Sequence, residues 1–593
     1  MKKTILLICA LLAFSALAYV PAWGQKPYLG TLNGVSRLYY KGEPVLLLSG
    51  ELHNSTAAGE DYLRRAMASS KAMGLNSLIV TAEWDLIEPE QGKYDFSSID
   101  RIITLSEENE LPVVIAWFGT WKNGVSSYIP GWMKRDTKKY FRAQDEKGQN
   151  TDYISAFCED AMKADVKTFS ALMKYIKGRD RNNMVLFMQV ENETGLWQQS
   201  IDYSKPAQKA YSGNVPAELV SLLQSGKVAS DNPMMLRWAE NGRKSKGSWK
   251  EVFGDNAYAE AFFMQWAYAS YIEKVASAGK AEYDIPMYVN TVAMPSGGFS
   301  FNAQAGVPTT QGGQAQGQQQ APPAGGNPFG SMSPLFPSGA PIWQAIDMYH
   351  LFCPSIDFLS PDIYVPAFKN VSDSYTRVDN PLFIPETGRN AAPAYYALAT
   401  NNAIGFSAFA IEDAYLIKEY RGVYSTLSEL LPLISQYQGT GLMKGFLREG
   451  NEEGTSFEIG NYTVEVKYVK EEKSSYGLVI KTGDEDFVVS GVGAIVNIIL
   501  KDSGKVTRYE FVDEGNFSDG KWVSEVRLNG DQTSHGQDLY LRGRVEYQDG
   551  YVPSEGEVMP RRNVASSEAH QKIVTDRVKS PSIYCTRVYS YNK

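Results

Sequence analysis

Eight short apolar runs recur between residues 45 and 413, and each is continuous rather than alternating. They are "VLLLSGE" (45–51), "SLIVTAEW" (77–84), "PVVIAWF" (112–118), "MVLFMQVENE" (184–193), "PMYVNTV" (286–292), "FLSPDIYV" (358–365), "PLFIPET" (381–387) and "AIGFSAFAIED" (403–413). A strand that is apolar on both faces must be covered on both, which is the situation of a parallel sheet flanked by helices. Helical stretches lie between most of the runs. "EDYLRRAMASSKAMG" (60–74) repeats Leu63, Met67 and Met73 on one face, and "AMKADVKTFSALMKYIKG" (161–178) follows the third run. A doubly wound open sheet is the competing arrangement, but no GxGxxG follows an early strand. The polar residues decide between them. Glu51 and His53, Glu83 and Trp84, Trp117, Glu193, Asn290, Tyr364, Glu386 and Glu412 all fall at the C-terminal ends of the runs, the end where a parallel barrel builds its active site. The expected fold is therefore α/β, a (β/α)8 TIM barrel.

The barrel accounts for residues 25–435. Ahead of it, Lys2 and Lys3 precede an apolar run from Ile5 to Ala18, with small residues at Ala22 and Gly24. That order describes a secretory signal peptide over 1–24, too short to span a bilayer. The expectation is a soluble, exported protein, periplasmic or extracellular, with no membrane insertion. Residues 303–328, "AQAGVPTTQGGQAQGQQQAPPAGGNP", are too rich in Gln, Gly and Pro to pack and read as a loop after the fifth strand. Beyond about residue 436 helical periodicity gives way to alternation between Gly- and Asp-rich turns, as in "TSFEIGNYTVEVKYV" and "DLYLRGRVEYQD". Residues 436–593 read as a smaller antiparallel β-sandwich.

Charge excludes some partners. With 58 Lys+Arg against 67 Asp+Glu the net charge is −9, which argues against nucleic acid. Removal of the first segment leaves Cys158, Cys353 and Cys585, too few and too scattered for a disulfide framework or a metal site. The chain has four histidines and no HExxH-like cluster, so neither a metal nor another cofactor is expected. The sequence sets no oligomeric state.

The fourth run ends abruptly in Glu191, Asn192 and Glu193, and the seventh in Glu386. Burying charge is costly unless it is paired or used. Two glutamates projecting from strand ends, without nucleotide or metal motifs, suggest paired-carboxylate chemistry. In retaining glycoside hydrolysis one carboxyl protonates the leaving oxygen and later activates water, while the other attacks the anomeric carbon. Strand alternation does not choose between Glu191 and Glu193, because residues two apart share a face.

"QVENETG" (189–195) resembles the QVENEYG signature of family 35 glycoside hydrolases, retaining β-galactosidases with barrel folds. The resemblance implies that Glu193 is the acid/base, that Asn192 holds the sugar hydroxyl beside the scissile bond, and that Glu386, in "PETG", is the nucleophile. "TAEWDLIEPEQGKYDF" (81–96) is similar to the family stretch after the second strand. "GELHNS" (50–55), "WFGTWKNG" (117–124) and the β-rich tail resemble a bacterial branch that carries such a tail. Asp85 and Ile87 depart from the Asn and His of many members, and Gly119 and Thr120 stand near the place of a galactose-binding Ala-Glu pair. The reaction type thus carries over further than the sugar.

Further sugar contacts are expected from His53, Glu83, Trp84, Trp117, Trp121, Lys122, Asn123 and Asn290. Tyr364 is placed to hydrogen-bond Glu386 and keep it ionised, since a donor to the charged form lowers a carboxyl pKa. Arg389 is a second group in reach of that role. The expected activity is that of an exported retaining β-galactosidase acting on carbohydrate, such as galactosylated xyloglucan fragments. Another retaining glycosidase of the clan, acting on β-glucosides or β-mannosides, and a carbohydrate-binding barrel without catalysis are the alternatives.

Overall fold

The computed structural model describes residues 25–294, 333–415, 417–472, 474–502, 504–518, 520–545 and 579–593. The expected signal segment and the 303–328 stretch lie outside them. Eight parallel strands form a ring: Leu47–Leu48, Leu78–Glu83, Val113–Lys122, Val185–Asn192, Met287–Val292, Phe358–Ile363, the interrupted pair Phe383–Ile384 and Glu386–Thr387, and Gly405–Phe406. The first strand closes it on both sides. The amides of Leu47, Ser49 and Glu51 donate to the carbonyls of Ile404, Phe406 and Ala408, and that of Ile79 donates to Gly50. A helix follows each strand, from Glu60–Ala72 to Lys418–Tyr437. The first of these buries Leu63, Ala66, Met67 and Ser70, the face that the spacing predicts.

The barrel interior is layered, and the layers position the site. Leu47, Ile79, Val114, Phe187, Tyr288, Phe358, Phe383 and Ile404 form a cluster of their own. The Phe187 ring meets those of Tyr288 and Phe383 edge-on at 5.6 and 5.1 Å. Two residues further along the first six strands, on the same face, the positions become small or polar: Ser49, Thr81, Ala116, Gln189, Asn290 and Ser360. Tyr288 joins the layers by donating to Gln189 at 2.6 Å. A feature not anticipated is an antiparallel sheet of Tyr28–Leu32, Val35–Tyr40 and Glu43–Val45, whose Leu38 enters the interior cluster and closes the barrel floor.

The tail contains a six-stranded antiparallel sheet and a four-stranded one. Val464, Val466, Val479, Phe487, Val489 and Val496 pack between them. The strand Tyr476–Lys481 shows how the tail is attached. Val479 points into the sandwich, whereas Tyr476, Leu478 and Ile480 belong to the main barrel core. Both faces are covered, so the strand is apolar throughout. Hydrogen bonds from Thr400 to the Gly445 carbonyl (2.9 Å) and between Tyr395 and Ser490 (3.1 Å) cross the same junction.

Candidate active site

The alternation that leaves Glu191 and Glu193 indistinguishable breaks at the end of the fourth strand. Both residues adopt left-handed backbone, with φ of 63° and 44°, and their side chains part. Glu191 turns into the wall. Its carboxyl accepts the amides of Thr120 (3.2 Å) and Trp121 (2.7 Å) and lies against Asp165 of helix Glu159–Arg179. Asp165 in turn accepts Trp117 Nε1 (3.0 Å) and Thr120 Oγ1 (2.7 Å). Burial and the Asp165 charge push Glu191 well above the usual carboxyl range, and burial raises Asp165 as well. Gly119 makes room for this: a Cβ there would come within 2.8 Å of Glu191 Oε1 and 2.3 Å of Trp117 Nε1.

Glu193 turns into the pocket. Its amide donates to Asn290 Oδ1 at 3.1 Å, and Asn290 Nδ2 donates to Asp362 (2.8 Å) and, more weakly, to Glu386 Oε1 (3.5 Å). One side chain therefore ties the fourth, fifth, sixth and seventh strand ends together. Asp362 pairs in register with Glu386, and Tyr364 Oη donates to Glu386 Oε2 at 2.6 Å. Tyr364 is 47% exposed overall, but burial of its hydroxyl end and the adjacent Glu386 charge raise the phenol pKa, as its donor role requires. Lys122 is buried with its ammonium 4.9 Å over the Phe118 ring. Burial alone would lower its pKa, but the charges of Glu386, Glu193, Glu51 and Asp362 outweigh that and raise it.

The carboxyls occupy unequal environments. Burial, and then the Glu386 charge, push Glu193 up to about 7 against the opposing pull of Lys122 and Asp362. Glu51 and Asp362 are pushed well above the carboxyl range, again by burial first and Glu386 second. A group near neutrality can carry a proton to a leaving group and take one back. Glu386, by contrast, accepts a short hydrogen bond from the Tyr364 phenol.

Asn192 is buried at the pocket wall, and neither side-chain atom has a hydrogen-bond partner among the described residues. His53 lies on the exposed rim, its Nε2 3.1 Å from Asp413. Arg389 also pairs with Asp413 rather than with Glu386. Glu83 is half-buried, and burial together with Asp85 pushes it up to about 7. Asn123 is the exposed first corner of an Asn-Gly turn whose left-handed backbone (φ 52°) suits asparagine.

The tryptophans require a correction. Trp84, Trp117 and Trp121 are 0% exposed, and their indole N–H groups are spent on Glu88, Asp165 and the Ile154 carbonyl. They are packing beneath the site, with no face left for a sugar. Strand-end position placed them near the pocket without fixing which way they point. Two pocket residues went unassigned in the sequence reading, Glu51 and Asp362. The signal for each was a carboxylate inside an apolar run, the same signal that marks Glu193. Among the described residues no group of three or more His, Cys, Asp or Glu side chains is arranged to hold a metal ion, and no helix is long and apolar enough to cross a membrane.

Residues 37–267 match the family described as glycosyl hydrolases family 35, and residues 420–540 match a domain of unknown function, DUF5597. The second match begins in the last barrel helix and runs into the sandwich. A β-galactosidase of Xanthomonas manihotis is 31% identical over 104 residues, 17% of this chain and 16% of that protein. Beta-galactosidase 13 of Arabidopsis thaliana is 28% identical over 177 residues, 28% of this chain and 20% of that protein. The chain thus spans a fifth or less of the length of these two curated relatives. The solved β-galactosidase of Rahnella sp. R3 aligns over 67% of this chain and 57% of its own, with 14% identity and a TM-score of 0.41. Glu193 falls inside the matched 37–267 segment and Glu386 beyond it. The QVENETG strand end, at the mouth of the closed parallel barrel, lies within the 37–267 segment that matches glycosyl hydrolases family 35.

Proposed function

We propose that this protein is a retaining β-galactosidase in which Glu193 is the acid/base and Glu386 the nucleophile. The observation that carries the reading is the difference between two carboxyls at strand ends that Asn290 ties together, through the Glu193 backbone amide and the Glu386 side chain. Glu193 is pushed up to about 7, whereas Glu386 receives a 2.6 Å hydrogen bond from Tyr364. In the first step Glu386 attacks the anomeric carbon as the glycosidic C–O bond breaks, and the Glu193 proton passes to the departing oxygen. In the second, Glu193 takes a proton from water, whose oxygen displaces Glu386 from the same carbon, so two inversions leave the configuration retained. The unpartnered amide of Asn192 supports a role in holding the adjacent hydroxyl, because a buried polar group without a partner is costly unless a ligand supplies one. Lys122, buried beside the Glu193 and Glu386 carboxyls, is proposed as a further sugar contact, with Asn290 and the half-buried Glu83 as additional candidates.

The galactose preference rests on the family and on the relatives' names, and the export of the protein on its Lys2-Lys3 start and apolar run. Galactosylated plant oligosaccharides, such as xyloglucan side chains, suit that compartment. Release of nitrophenol from a panel of aryl β-glycosides tests the reading, with wild type, Glu193→Gln and Glu386→Gln compared. Preference for the β-galactoside, abolished by Glu386→Gln, is expected. Preference for a β-glucoside or β-mannoside would keep the mechanism and overturn the sugar. Binding without turnover of any glycoside, natural oligosaccharides included, would overturn the enzyme.

A further inference from the structure

Glu51 ends the first barrel strand and is 1% exposed. Its backbone is fixed on both sides: its amide donates to the Ala408 carbonyl, and it bridges Ile79 and Phe409. The side chain is left facing Glu386, close enough for a hydrogen bond between the two carboxyls. No amide, hydroxyl or amine among the described residues donates to either Glu51 oxygen. Its other charged or titratable neighbours are Lys122, Glu193, Asp362, Tyr288 and Tyr364. Ionising Glu51, Glu193, Asp362 and Glu386 together would set four negative charges against the one positive charge of Lys122. A buried pocket does not sustain that excess. With protons on Glu51, Asp362 and Glu193, the Glu386 carboxylate and the Lys122 ammonium balance. A carboxyl lying against a carboxylate, with no other donor, makes a favourable contact only if it holds the proton between them.

Building on the proposed assignment of Glu386 as nucleophile, we propose that Glu51 is a positioning residue: a neutral carboxylic acid that donates a hydrogen bond to the Glu386 carboxylate, aiming it and keeping it ionised alongside Tyr364. Glu51 itself undergoes no bond change during turnover. The reading separates Glu51 from an ordinary charged neighbour, because the two predict opposite responses when the carboxyl is replaced.

The test compares Glu51→Gln and Glu51→Leu with wild type in the full chain. Gln keeps a neutral donor and Leu keeps none. Glu51→Leu is expected to lower kcat/KM by about 10- to 100-fold, the usual effect of losing a hydrogen bond to a charged group. It should also move the acid limb of the pH profile upward, since Glu386 then protonates more easily. Glu51→Gln should keep most of the activity and leave that limb in place. If Glu51 were ionised, both replacements would remove a negative charge and move the limb downward together, which would overturn the proposal. Infrared difference spectra between wild type and Glu51→Gln test the proton without turnover. Loss of a protonated-carboxyl C=O band supports it, and loss of a carboxylate band alone overturns it. A wild type inactive on every glycoside would refute the nucleophile assignment, while the infrared result would still decide where the proton resides.

Discussion

Replacing Glu193 by Gln is expected to stabilise the protein at alkaline pH while abolishing general-acid catalysis. The carboxyl is pushed from 4.5 up to about 7 by burial and by the Glu386 charge. A raised folded-state value means that the native state binds the proton more tightly than the unfolded chain. The fold therefore carries no penalty below about pH 4.5, loses stability as pH rises between the two values, and stays penalised above about pH 7. With one pKa unit equal to about 1.4 kcal/mol, the penalty reaches about 3 kcal/mol at pH 8 and is about 1 kcal/mol at pH 5. Gln mimics the protonated form in size and polarity and does not ionise. Urea unfolding followed by tryptophan fluorescence reads the barrel, because every Trp of the described residues except Trp522 precedes the sandwich. Glu193→Gln should gain about 3 kcal/mol over wild type at pH 8 and about 1 kcal/mol at pH 5. Equal gains at both pH values would mean that the substitution acts through packing. No gain at pH 8 would mean that Glu193 is not held near neutrality. The same shift places the alkaline limb of wild-type kcat/KM near pH 7.

Asn192→Ala should not destabilise the fold and should raise unfolding stability by about 1 kcal/mol, because neither buried amide atom has a partner to lose. It should nonetheless cut kcat/KM by about 100-fold if the amide serves the sugar, and equal activity in the two proteins would remove Asn192 from the site. Asp165→Leu strands the buried Trp117 and Thr120 donors, and should cost about 3 kcal/mol in urea unfolding. Gly119→Ala drives a methyl against Trp117 and Glu191 and should destabilise by about 1–3 kcal/mol; a silent substitution would show that the wall yields.

The barrel was legible because its strands are buried on both faces, and continuous apolar runs such as 112–118 state that directly. The floor was not: Val35–Tyr40 alternates weakly, and nothing local says that Leu38 will plug a ring formed by distant strands. Within the site, Glu386 and Tyr364 were readable as strand-end positions, and their hydrogen bond follows from adjacent seventh and sixth strands. The separation of Glu191 from Glu193 depends on two left-handed backbone residues, a conformation for which glutamate gives no sequence signal. The three tryptophans were misplaced for a related reason. Trp117 and Thr120 both serve the Asp165 carboxyl, and that partner comes from a helix that local spacing does not connect to the strand.

The proposed mechanism passes through a covalent intermediate on Glu386. Incubation with an activated 2-deoxy-2-fluoro-β-galactoside, followed by digestion and mass spectrometry, tests it most directly. The account predicts one galactosyl-sized mass addition on the peptide containing Glu386, slow release in buffer, and no labelling of Glu386→Gln. A label on Glu193 or Glu51, or hydrolysis that releases the inverted anomer with no label at all, would contradict it.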